Sequence, residues 1–422
     1  MSGRRRARGS ALASSFFVGQ TMTETSPSAS HSAVSPLRIA VALILLVGLG
    51  VWAYTLHASD AASRALSFSL LTGMAFGIVL QRGRFCFFCN FRDFVEKRDP
   101  RGVLSILTAL AAGTLLYHVV FLAWVPVPLP DRLPPTAHIG PASPVLALAA
   151  FAFGLGMAIA GSCISAQLYR LGEGSPTAPF ALVGAACGFV LGFLTWNPLF
   201  LSVISEWPAV WLPHHFGYTG TLAASLGALA LLALLVLALA KPQPSAPAET
   251  PTLSGAFHRI FVEQWPGTIA GIAVGIISMV GYFRVAPLGV TAELGSLART
   301  AADTTGILPE TLYGLDGLRG CATMVKEALF SNNGLFVIGL VGASFASAIV
   351  AGQFTPTRPT SGQVFRGLLG GALMGWGAMI GLGCTVGVLL SGIHAGALAG
   401  WVFLTFCTAG AWLGILLIHR FA

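Results

Sequence analysis

Long apolar stretches recur along almost the whole chain, at about 38–57, 66–81, 103–125, 145–162, 180–203, 221–240, 267–281, 335–352, 366–383 and 395–418. A helix needs about 20 such residues to cross the hydrocarbon of a bilayer, where no water can satisfy an open backbone. Several stretches are shorter than that, so the expectation is an all-α polytopic membrane protein with nine or ten spanning helices and some short re-entrant ones. With 55% hydrophobic and 9% charged residues and a mean hydropathy of +0.80, a water-soluble fold of this size could not cover its own apolar surface. The net charge of +8 does not point to nucleic acid, since the basic residues form no stripe interleaved with aromatics.

Charge instead sets topology. Arg82, Arg84, Arg92, Lys97, Arg98 and Arg101 crowd one connection, while the connections at 58–65, 126–144 and 204–220 carry almost none. The crowded side is expected to be cytoplasmic, with Arg170, Lys241, Arg259, Arg358 and Arg366 on that same side and the N-terminus inside. The long segment 282–334 is the basic exception outside, and its charges read mostly as a solvated face. Residues 1–37, rich in Ser and Arg and without apolar period, are expected to be a disordered cytoplasmic tail, with Met22 as an alternative start to Met1. Residues 38–422 are then expected to form one membrane domain.

The chain repeats itself. "GMAFGIVLQRGRF" (73–85) matches "GIAVGIISMVGYF" (271–283), and "GLGMAIAGSC" (154–163) matches "GWGAMIGLGC" (375–384), aligning Gly154, Gly156 and Cys163 with Gly375, Gly377 and Cys384. A weaker match sets Cys89 and Gly102 against Cys321 and Gly334. Glycines alone could reflect only close helix packing. The cysteines add weight, because the chain has only 7. The expected halves are about 66–203 and 267–418, joined by a linker helix at 221–240. An odd number of crossings before the second half makes this an inverted repeat.

"GRFCFFCNFRDF" (83–94), "GSCISAQLYRLGEGSP" (161–176) and "GLGCTVGVLLSGIHAGALAGW" (381–401) place thiols at glycine-broken ends of apolar segments. Irregular backbone at such depth survives only when buried in protein or lining a wet cavity. Helix N-termini aimed inward favour an anion. Thiols at successive depths give several weak holding points, and weak repeated binding lets a solute leave as well as enter.

These segments resemble the signature motifs of the YeeE/YedE family of bacterial inner-membrane sulfur transporters, over about residues 66–418. The resemblance implies an inverted repeat whose short helices dip to the centre, and uptake of thiosulfate or a related reduced sulfur anion along a path of cysteines. Carried over by motif, the substrate-binding residues are Cys86, Cys163, Cys321 and Cys384. Cys89 departs from the motif as an accessory thiol. Arg82, Arg84 and Arg319 near the mouths are candidates for drawing the anion in. A small cytoplasmic sulfur-carrier protein of the TusA type is a further implied partner. No enzyme activity, metal or cofactor is expected.

Other readings attach to single features. Cys86 and Cys89 could serve a membrane thiol oxidoreductase, although no strand-to-helix thioredoxin context surrounds them. A selenium or metalloid transporter would also use thiols, but no acidic or His cluster stands at ligand spacing. Cys187 and Cys407 read as small buried apolar side chains. His118 is an ionisable group within a span, and His214 and His215 follow an interfacial aromatic stretch.

Overall fold

The computed structural model describes residues 35–129, 132–134, 136–241, 258–315, 323–326, 328 and 330–421. Among these, 9 helices are long and apolar enough to cross a membrane, or 10 when a bent pair counts as one. They are α1 (Pro36–Ser59), α2 (Ala61–Arg82), α4 (Arg101–Trp124), α5 (Pro144–Ala160), α7 (Ala178–Ser202), α8 (Leu212–Leu239), α9 (Gly267–Arg284), α11 (Asn332–Val350), α12 (Ser361–Ile380) and α14 (Leu398–Phe421). Between them lie four short ones: α3 (Phe87–Lys97), α6 (Ile164–Gly172), α10 (Val290–Asp303) and α13 (Thr385–His394), the last wound mainly as π-helix. Extended pairing among the described residues is limited to isolated bridges, Pro141 with Ala209 and Trp211 with Ala397.

Local chemistry sets the helix limits. Pro144 opens α5 behind Ser143, whose hydroxyl accepts the Leu146 N–H at 3.1 Å. Thr360 and Gln363 close a reciprocal box at the start of α12. The linker helix α8 begins well before the apolar run expected at 221–240 and bends at Gly217, whose φ of 67° admits no side chain cheaply.

The order long, short, long, long, short, long occurs twice, as α2 to α7 and as α9 to α14. The packing exchanges partners between the two sets: α7 packs on α12 as α14 packs on α5, and α2 packs on α11 as α9 packs on α4. The matched glycines sit in matched seams. A Cβ on Gly154 would strike the backbone of Cys407 in α14, and one on Gly375 would strike that of Ala185 in α7. Gly77 likewise lies against Leu340 in α11 and Gly275 against Ala109 in α4. Small residues here allow backbone contact that lipid cannot otherwise drive.

The charges of the 282–334 segment divide. Arg284, Asp303 and Glu310 are exposed, as expected of a solvated face, but Glu293 is not: it lies in α10, whose Val290, Thr291, Ala292, Glu293, Gly295, Ser296, Ala298 and Ala302 are buried. Glu293 pairs there with Lys326 and accepts from Ser331 at 2.6 Å. The match of Cys89 with Cys321 falls on a residue outside the described ones. Gly102 abuts Asn90 in α3 and Gly334 abuts Glu293 in α10. Aligning the two halves on those contacts sets Cys86 at the position of Gly289, and Cys89 at that of Ala292.

Candidate functional site

Three cysteines stand at corners where a span ends and a short helix begins: Cys86 at the start of α3, Cys163 at the start of α6 and Cys384 at the start of α13. At each corner the residue two positions before the cysteine has a left-handed backbone: Arg84 (φ 48°), Gly161 (φ 81°) and Leu382 (φ 58°). That turn closes the span, with the Gly161 N–H on the Met157 carbonyl at 2.9 Å and the Gly383 N–H on the Ala378 carbonyl at 2.7 Å. The cysteine then takes an extended conformation as the first capping residue of the next helix. All three thiols are buried and unbridged.

On the first-half side the thiols form a row. Cys86 lies within hydrogen-bonding reach of Cys163, and its Sγ accepts the Cys89 N–H at 3.3 Å. Cys89 Sγ donates to the Gly161 carbonyl at 3.8 Å and receives Arg170 NH2 at 3.3 Å. Cys89 is therefore part of the row rather than a thiol turned away from it. The C-x-x-C spacing is the capping spacing, in which a residue before a helix reaches the N–H three positions on.

Around Cys163 the donors multiply. The backbone N–H groups of Ala166, in the first turn of α6, and of Phe87 lie within hydrogen-bonding reach of the Cys163 thiol. The hydroxyls of Ser162 and Ser165 are buried without a partner. Sequence reasoning named neither, although both stand inside "GSCIS". Soft S–H groups beside hard N–H and O–H groups suit an anion that carries both a bare sulfur and oxygens. At the other corner Cys384 neighbours the buried Cys407. A narrow recess lined by His138, Gly140, Pro141, Ser143, Leu382 and Val388 reaches that corner.

The arginines divide. Arg82 is only 2% exposed and donates to Gln81 Oε1 at 2.6 Å, to the carbonyls of Phe261 and Val262 at 3.0 and 2.8 Å, and to Gln353 Oε1 at 2.7 Å. It is a clasp rather than an open mouth charge. Arg84 pairs with Glu173 at 2.8 Å. Arg319 and Cys321 lie outside the described residues. Cys407 is buried as expected, but Cys187 is exposed on α7, contrary to expectation. His118 Nδ1 meets the Thr114 carbonyl at 2.9 Å and His214 Nδ1 the Pro128 carbonyl at 3.0 Å. Among the described residues no group of His, Cys, Asp and Glu could hold a metal ion.

A two-fold helical membrane scaffold with thiols at broken helix ends, buried at its centre, defines a solute transporter. Residues 82–413 match the Sulphur transport family, and the chain belongs to it. It is 28% identical to the thiosulfate transporter TsuA of Spirochaeta thermophila over 83% of this chain and 98% of that protein. It is 25% identical to the thiosulfate transporter TsuA of Escherichia coli, over 83% of this chain and 94% of that protein. A shorter stretch, 37% of this chain and 39% of the relative, is 26% identical to the probable transporter YedE of Escherichia coli. These relatives are transporters and not enzymes.

Proposed function

We propose that the chain takes up thiosulfate, or a closely related reduced sulfur anion, across the bacterial inner membrane along its row of thiols. What carries this reading is the repeated corner: a left-handed turn, a buried thiol and an inward helix start at Cys86, Cys163 and Cys384. Cys321 is a further thiol of the path. The two halves, about 66–203 and 267–418, run oppositely through the membrane, with the N-terminus and the Arg82 to Arg101 connection in the cytoplasm. The anion enters by the recess beside His138, is held by Cys384 and then Cys163 and Cys86, and is released on the arginine-rich side. A sulfur-carrier protein of the TusA type receives it there. Each thiol holds the terminal sulfur by a weak S–H contact while neighbouring N–H and hydroxyl groups hold the oxygens, so no single station traps the ion.

The test is uptake of labelled thiosulfate by cells that lack other importers. Cys163→Ala and Cys384→Ala should each nearly abolish uptake with normal amounts of protein in the membrane, whereas Cys187→Ala, on the exposed face, should not matter. Full uptake in both corner variants would sink the assignment.

A further inference from the structure

The inner end of the thiol row stops at a cation. Arg170 counts in the sequence only as an inside-loop charge, yet its NH2 group lies 3.3 Å from Cys89 Sγ. Among the described residues its guanidinium meets that thiol and the Tyr169 hydroxyl, and no carboxylate stands in ion-pair range. The one acid nearby in sequence, Glu173, is taken by Arg84 and by Gln81 Nε2 at 3.1 Å. Arg92 is balanced by Asp93 and Glu96.

Among the described residues at this corner, Arg82 and Arg84 share the carboxylate of Glu173, and Arg170 adds a cation without an ion-pair partner. Arg82 has committed its donors to carbonyl oxygens and amides. Arg170 has not. A guanidinium offers five N–H donors in a fixed plane that grips two oxygens at once. A neutral thiol is a poor acceptor for it, so an arriving oxyanion displaces that contact at little cost.

We infer that Arg170 and Cys89 form the innermost holding point of the path, a two-part site for a doubly charged anion with one bare sulfur and several oxygens. Cys89 takes the sulfur and Arg170 grips the oxygens. This rests on the transport reading above. The row Cys163, Cys86, Cys89, Arg170 is contiguous by the contacts already given, so an ion leaving Cys86 meets a thiol and a cation together. A cation at this end draws the dianion off the uncharged thiols.

The experiment compares wild type, Arg170→Gln, Arg170→Lys and Cys89→Ser by labelled thiosulfate uptake. It also follows protection of Cys89 by thiosulfate against a small alkylating reagent, read by mass spectrometry on purified protein. Loss of a bidentate charged contact should raise the KM of Arg170→Gln by about tenfold or more. It should also abolish protection, while the amount of folded protein is unchanged. Arg170→Lys, which keeps the charge without the fork, should fall between, and Cys89→Ser should raise KM less than Arg170→Gln. A KM within twofold of wild type with protection intact in Arg170→Gln would overturn the site. So would a loss of folded protein that Arg170→Lys does not rescue, with unchanged KM in what remains, which is the mark of a merely structural arginine. In either failure Cys163→Ala would still abolish uptake if the thiol path stands. Insensitivity of uptake to Cys163→Ala and Cys384→Ala as well would remove both.

Discussion

Replacing Arg82 by Met separates a structural cation from a functional one. Arg82 joins three parts of the chain: Gln81 beside it, the carbonyls of Phe261 and Val262, and Gln353 after α11. Ser347 donates to Gln81 Oε1 at 2.8 Å and Gln81 Nε2 to Gln353 Oε1 at 2.7 Å, so the amides depend on the same centre. A hydrogen bond from a charged donor contributes about 1.5–3 kcal/mol, but bonds sharing one side chain do not add. Removing the hub of such a buried network should cost about 3–5 kcal/mol in all. For a chain of this length that corresponds to a fall in melting temperature of roughly 3–6 °C. The assay is thermal unfolding in detergent, followed with a thiol-reactive dye that reports exposure of the buried cysteines. Arg84→Met is the comparison: its side chain is 32% exposed, and a partly exposed pair contributes about 1 kcal/mol or less. Unchanged melting of Arg82→Met, or a larger fall for Arg84→Met, would refute the assignment of Arg82 as a clasp.

Gly154→Ala and Gly375→Ala should each destabilise by about 1–3 kcal/mol, because the added methyl meets backbone across a seam, while Gly48→Ala in the open face of α1 should be neutral or slightly stabilising. The same melting assay checks this, and unequal behaviour of the matched glycines would count against the exchanged packing. Burial lowers the His138 imidazole to about 4, so the folded protein resists a proton that the unfolded chain accepts near 6.5. Stability should therefore be full above about pH 6.5 and decline by up to about 3 kcal/mol as pH falls towards 4. His138→Gln should flatten that decline in melting measured from pH 7 to 4.5, and an unaltered slope would remove His138 as its source.

Much of this was legible in the sequence, for physical reasons that also explain the rest. Apolar runs register directly because lipid demands them, so each run corresponds to a helix within a few residues at most ends. The match of Gly154 and Gly375 was legible because only glycine permits backbone contact at those seams. What escaped was what depends on helix phase. Cys89 looks like a thiol pointing away only if the helix start is unknown. Once Cys86 caps α3, the third residue on turns back to it. The short helix α10 hides because Glu293, Arg299 and Asp303 make its stretch polar, and its buried face becomes visible only with the Lys326 partner in place. Arg170 hides because a lone arginine in an inside connection already has a sufficient topological explanation.

The scaffold repeats more faithfully than the chemistry it carries. Gly161 and Leu382 occupy the same left-handed position of the two corners, yet Leu382 bears a Cβ there, a strain on the order of 1 kcal/mol that Gly161 avoids. Leu382 also lines the recess beside His138, so its side chain has a place at the mouth that glycine could not fill. The first half brings together Cys86, Cys89, Cys163 and Arg170. In the second half the counterpart of Cys86 is Gly289, and of the described cysteines only Cys384 stands at a corner, with Cys407 behind it. Matched backbones fix where the helix starts can be, and unmatched side chains grade the hold on an ion between them. On the proposed reading, and among the described residues, the grade runs from Cys384 at the entrance corner to three thiols and a guanidinium at the exit. Such a gradient gives direction to a path whose frame, being nearly two-fold, has none of its own.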